Sequence, residues 1–171
     1  MPQPLTAACQ CGRTTIEIVG APIVSTVCCC ESCRTAGRQM EQEPGAPSVV
    51  RPDGGTAYCL YRKDRVRVAS GGEALQEHRL TPQSPTRRVV AACCNSPMFL
   101  DFTSGHWLSV YRDRMPDPAP PLDMRVNTKD LPAGAAFADD LPTYPTFPPR
   151  FMVKLLSAWA AMGFRRGRIV W

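Results

Sequence analysis

The chain has only two histidines among its 171 residues, His78 and His106, and neither falls within a run of other potential ligands. That scarcity disfavours metal-assisted hydrolysis, which is best served by neutral imidazole ligands that leave the ion Lewis acidic. Each histidine reads as an ordinary strand or turn residue rather than a general base. Long apolar runs are also lacking. The most apolar stretch, Phe151 to Phe164, is interrupted by Lys154 and is too short for a bilayer, so no transmembrane segment is expected. Met1 to Gly12 has neither a charged n-region nor an apolar h-region, so the expected compartment is the cytoplasm, where cysteines stay reduced. Acidic residues are missing after Arg150, whereas Arg150, Lys154, Arg165, Arg166 and Arg168 are basic. The remainder carries 15 basic residues (20 less these five) against 15 acidic ones, so the +5 net charge belongs to the C-terminal end and no nucleic-acid partner is expected for the main body. No repeat at a fixed period is present.

Proline is abundant and clustered: nine of the 18 lie between Pro116 and Pro149. This divides the chain into a domain over 1–112, a proline-rich connection over 113–149, and a C-terminal helix with a basic tail over 150–171. Within the first part, Thr14–Val19, Ile23–Val27, Ala57–Tyr61, Arg65–Ala69, Leu75–Leu80, Arg87–Ala92, Met98–Phe102 and Trp107–Tyr111 read as short strands separated by Gly and Pro turns. A short helical turn is expected after Cys33, cut off by Gly37, Pro44 and Pro47. Met124–Thr128 is the one strand-like segment of the connection. Met152, Leu155, Leu156, Trp159 and Ala160 recur at helical spacing, an amphipathic helix placed to cover a sheet face or edge. The fold class is therefore mostly β, a small antiparallel β-sandwich or open, barrel-like zinc fold with a C-terminal amphipathic helix.

Nine cysteines dominate the chemistry, an odd number that leaves no complete set of disulfides. Leaving Cys29 and Cys59 aside, seven fall in three clusters, Cys9-Gln10-Cys11-Gly12, Cys28-Cys29-Cys30-Glu31-Ser32-Cys33 and Cys93-Cys94-Asn95-Ser96-Pro97. Zinc takes four ligands in a tetrahedron and accepts thiolates readily. Cys9 and Cys11 supply two, and Cys93 and Cys94 can supply the rest, with Cys94 the better placed; Gly12 and Asn95 tolerate the positive φ that such tight turns need. Cys28, Cys30 and Cys33 give three thiolates and no evident fourth protein ligand, which leaves a position open for chemistry. Cys29 points the other way if its segment is extended, and Cys59 reads as core.

The clusters, in their order, resemble the glutathione-dependent formaldehyde-activating enzyme (GFA) and centromere protein V family, whose motifs are G-x-C-x-C-G, C-x-C-x-x-C-R and F-C-x-x-C-G-S-P. Cys9-Gln10-Cys11-Gly12 matches the first, with Ala7 in place of its leading glycine, and Cys28 to Arg34 matches the second at every cysteine. In the third, Ser96-Pro97 aligns Cys94 with the second cysteine and Ala91 with the first, and Cys93 stands as a shifted fourth ligand, as in a distinct branch of the family. The resemblance spans about Leu5 to Tyr111. It implies a structural zinc on Cys9, Cys11, Cys93 and Cys94, and a second zinc on Cys28, Cys30 and Cys33 that does carbon–sulfur lyase-like chemistry on a small thiol adduct of the glutathione type. Arg34 is the first candidate for a substrate carboxylate, with Arg38, Arg87 and Arg88 behind it. Two other readings are a non-catalytic zinc module that docks through its C-terminal helix and basic tail, and a redox or metal sensor with a labile central zinc.

Overall fold

The computed structural model describes residues 4–171. Among them the chain forms β1 (Leu5–Ala8), β2 (Thr15–Ile18), β3 (Val24–Cys28), α1 (Glu31–Met40), β4 (Thr56–Arg62), β5 (Val66–Ser70), β6 (Leu75–His78), β7 (Thr86–Ala91), β8 (Ser96–Phe102), β9 (Trp107–Tyr111), β10 (Met124–Val126) and α2 (Pro149–Ala161). Strands β1-β2-β5 make a three-stranded sheet. A seven-stranded sheet runs β10-β3-β4-β9-β8-β7-β6, and neither sheet closes into a barrel.

The two sheets share one core. Ala7, Ile16 and Ile18 of the small sheet pack with Cys59, Tyr61, Val89, Phe99, Leu108 and Val110 of the large one. The opposite face of the large sheet carries a second core, in which Tyr58, Leu60 and Tyr111 meet Cys33 and Met40 of α1 and Phe151 and Leu155 of α2. Strand β4 is thus covered on both sides and buried from Thr56 to Tyr61, which is why its sequence reads as a nearly continuous apolar run.

Several sequence expectations are corrected. The short turn after Cys33 is a ten-residue helix, with Cys33, Ala36, Gly37 and Met40 buried at i, i+3, i+4 and i+7. Gly37 does not break it. The position needs glycine because a Cβ there would lie 2.5 Å from Cγ2 of Val50. Helix α2 forms as expected and starts with Pro149 at its first turn. Its buried stripe, however, is Phe151 and Leu155, continued by Met162, while Met152 and Leu156 are 53% and 57% exposed. Periodicity located the helix but set its face one residue out, because Phe151 lies at the border of the proline-rich segment.

That segment is not a free traverse. Strand β10 pairs with β3 in parallel, against the antiparallel expectation, and a bridge joins Arg125 to Thr143. Parallel neighbours need a long crossover, and here nearly the whole domain intervenes between β3 and β10. Arg125, fully buried, anchors the segment through Asp53 and Asp139 at 3.0 Å each, and its guanidinium lies over the Phe137 ring. The basic end also folds back: Ile169 is buried, and Trp171 packs on Phe99 beneath the guanidinium of Arg87. Among the described residues no helix is long and apolar enough to cross a membrane.

Candidate metal centres

All nine cysteines are free, and seven gather into two groups that could hold a metal ion: Cys9, Cys11, Cys93 and Cys94, and Cys28, Cys30 and Cys33. Within each group the sulfurs lie within 4.8 Å of one another.

The first group joins the loop after β1 to the turn between β7 and β8. The amide of Gly12 donates to the Cys9 carbonyl at 2.9 Å, and Gly12 (φ 77°) and Asn95 (φ 51°) take the left-handed conformations that the tight turns require. The sulfur of Cys9 lies 3.5 Å from that of Cys11 and 3.7 Å from that of Cys93. Cys11 and Cys93 are 3.4 Å apart, and Cys93 and Cys94 are 3.9 Å apart. A tetrahedral zinc with sulfurs at about 2.3 Å requires S···S edges of about 3.8 Å, so this donor set has the size and chemistry for a thiolate-bound ion. Both adjacent cysteines join the group. Burial opposes ionisation of Cys94, but hydrogen bonds from Ser96 and from the Cys11 amide outweigh it and bring its thiol down to about 6. Cys9 is likewise lowered against its burial by the Thr14 amide, which donates to its sulfur at 3.3 Å. Burial and the hydrogen bond with Cys11 push Cys93 up to about 12.

The second group sits where β3 ends and α1 begins. Cys28 closes the strand, Cys30 is the N-cap residue of α1, and Cys33 lies in its first turn, with the amides of Cys33 and Arg34 both donating to the Cys30 carbonyl at 3.2 Å. Strand alternation sends Cys29 to the other side, where it packs with Val27 and Ala57. Hydrogen bonds from Cys28 and Cys33 hold the Cys30 thiol down at about 2. Its hydrogen bonds with Cys30 and Cys33, and its burial, raise Cys28 well above its usual range. For Cys33 the bond with Cys28 pulls down, but its bond to Cys30 and its burial prevail, and it reaches about 11. Among the described residues no fourth Cys, His, Asp or Glu joins this group. His78 instead meets Gln39 at 3.1 Å, and His106 stacks on Trp159 and meets Trp107 edge-on.

The trio forms one wall of a cavity of about 570 Å³, which the four-cysteine group does not line. Leu60, Leu100 and Trp107 of the large sheet form its floor, and Phe147, Phe151 and Leu155 close it from the proline-rich segment and α2. Arg34 is not among its lining residues; it borders a separate depression with Arg38, Asp53 and Gly54. Arg87 is engaged with Asp101 at 2.8 Å and with Glu77. Arg88, ranked behind Arg34 in the sequence, is the arginine that enters the cavity and is only 1% exposed. A signal for it existed: two adjacent arginines in one strand must point to opposite faces. Asn127, with φ 59° at the end of β10, donates its side-chain amide to the Cys28 sulfur at 3.5 Å. Nothing in the sequence linked two residues so far apart.

No protein-family model matches the chain, and no curated protein matches it. A solved structure of a Rhodobacter sphaeroides protein is similar at 15% identity, with a TM-score of 0.49, over 81% of this chain and 98% of that one.

Proposed function

We propose that this chain is a GFA-like zinc protein with a structural zinc on Cys9, Cys11, Cys93 and Cys94, and a second zinc on Cys28, Cys30 and Cys33 where a small thiol adduct undergoes carbon–sulfur lyase-like chemistry. The observation that carries this reading is the contrast in surroundings: the three-cysteine group opens on a cavity, whereas the four-cysteine group is complete in itself. A zinc ion held by the three thiolates would offer an open coordination position that binds an incoming thiol as its thiolate. For a hydroxymethyl thiol adduct, the C–S bond breaks with its electron pair going to sulfur. The hydroxyl oxygen becomes the carbonyl of the released aldehyde, and its proton leaves to solvent. The chain's residues contribute placement and exclusion of water: Phe151 and Leu155 roof the cavity, and Asn127 fixes the Cys28 sulfur.

Zinc per chain, measured in wild type and in Cys30→Ser, tests the reading together with adduct turnover. The expected result is two zincs falling to one, with turnover lost. Full turnover of every tested adduct by Cys30→Ser would overturn it. A second reading, a non-catalytic module that docks on an anionic surface, draws on Val153, Leu156 and Phe164, which are exposed beside the exposed Arg165, Arg166 and Arg168. Sedimentation with anionic vesicles that persists unchanged in Val153→Ser/Leu156→Ser would sink it.

A further inference from the structure

Among the described residues, three lysine or arginine side chains are buried: Lys63, Arg88 and Arg125. Two have carboxylate partners. Lys63 lies 2.7 Å from Asp101, and Arg125 contacts Asp53 and Asp139. Arg88 differs. Its Nη2 donates to the Ser32 carbonyl at 3.0 Å, and its Nε and Nη1 have no hydrogen-bond partner. A buried guanidinium with unfilled donors is costly, and the cost is removed when an anion occupies the space in front of it. The three-cysteine group offers some compensation, because three thiolates around a divalent cation carry one net negative charge. That charge resides on sulfurs, which are weak acceptors, and it leaves the N–H donors of Arg88 unfilled.

The rest of the cavity is mainly apolar. Leu60, Leu100, Trp107, Phe151 and Leu155 present apolar surface, neutral hydroxyls come from Tyr58 and Ser109, and the opposite charges of exposed Lys129 and half-buried Asp130 lie side by side. We infer that the cavity binds a small thiol or thiol adduct with one carboxylate on an otherwise apolar body, the carboxylate on Arg88 and the sulfur at the three-cysteine group. This rests on the proposed zinc-thiol reading for the sulfur end, while the carboxylate end stands on Arg88 and the cavity. Glutathione fits less well: it brings two carboxylates and an ammonium group to a site with one buried cation and a mainly apolar wall.

The test is calorimetric titration of the zinc-loaded full chain with hydrocinnamate and with hydrocinnamide, its uncharged amide. Wild type should bind the acid at least about tenfold tighter than the amide, the difference that one charge-assisted hydrogen-bonded pair makes. Arg88→Met should abolish that preference with zinc content unchanged, and Arg88→Lys should keep part of it. Equal binding of acid and amide by wild type, or an acid preference that survives in Arg88→Met, overturns the inference. If Arg88→Met fails to fold, the wild-type comparison and Arg88→Lys still decide. Glutathione binding tighter than hydrocinnamate and lost in Arg88→Lys would overturn the apolar-body assignment. Neither hydrocinnamate nor its amide carries sulfur, so their binding is read independently of the adduct turnover that tests the lyase reading. Arg88-dependent binding without adduct turnover therefore sinks the lyase reading alone, and turnover without acid preference sinks this inference alone.

Discussion

The two cysteine groups use the same ligand chemistry in opposite structural settings. The four-cysteine group lies outside the seven-stranded sheet, at the end of the core, and joins two segments 84 residues apart through contacts between Cys9 and Cys93. The three-cysteine group is local, spanning six residues at a strand-to-helix junction, and its neighbours come from afar: Arg88 from β7, Asn127 from β10, and Phe151 and Leu155 from α2. A closed donor set that links distant segments contributes to folding, whereas an incomplete one in a walled cavity leaves its ion available to a ligand. The difference lies in what surrounds the sulfurs rather than in their identity.

This contrast predicts unequal consequences for loss of metal. Cys9→Ser should cost several kcal/mol of stability, about 5 or more, in urea denaturation of metal-loaded protein, and Cys30→Ser should cost much less. Equal midpoints for the two variants would break the distinction. Next in size is the anchor of the cavity's third wall. Arg125→Met leaves Asp53 without its buried partner and should destabilise the chain by about 3–5 kcal/mol, with proteolysis first appearing in the proline-rich segment. A smaller and more selective effect is expected at Asn127. Asn127→Gly keeps the positive φ and removes the hydrogen bond to Cys28, so zinc affinity should fall about 10–100-fold at the three-cysteine group and remain unchanged at the other, as competition with a chelator would read.

The smallest effect concerns the docking of α2. Burial lowers the pKa of His106 from its usual 6.5, so the folded state disfavours the imidazolium. The unfolded chain then binds the extra proton first, and stability is lost as pH falls from about 6.5 towards the lowered folded value, then levels off. Denaturation followed by Trp159 emission should show this slope in wild type, and His106→Gln should flatten it.

Much of the candidate site was legible because cysteine clustering is a local signal. The three clusters, the exceptional position of Cys29 and the positive-φ turns at Gly12 and Asn95 could all be read from spacing and residue type. The expectation that Arg34 meets a substrate carboxylate came from adjacency in sequence. Its side chain borders a depression shared with Arg38, Asp53 and Gly54. Arg88 was undervalued because strand alternation says that one of two adjacent arginines faces inward without saying which. The length of α1 was missed because Gly37 was read as a breaker, whereas close approach of Val50 makes glycine necessary there.

Residue type and short-range spacing by themselves determined the mostly β class, the existence and position of α2, and the grouping of cysteines into candidate ligand sets. These are local properties, fixed by periodicity, turn chemistry and the reach of neighbouring side chains. Tertiary structure alone decided that β10 runs parallel beside β3, that Phe151 rather than Met152 faces the core, and that a buried arginine without a carboxylate partner and a distant asparagine line the same cavity as the three sulfurs. Those outcomes depend on which surfaces bury one another, and burial is a property of the whole chain that no window of sequence contains.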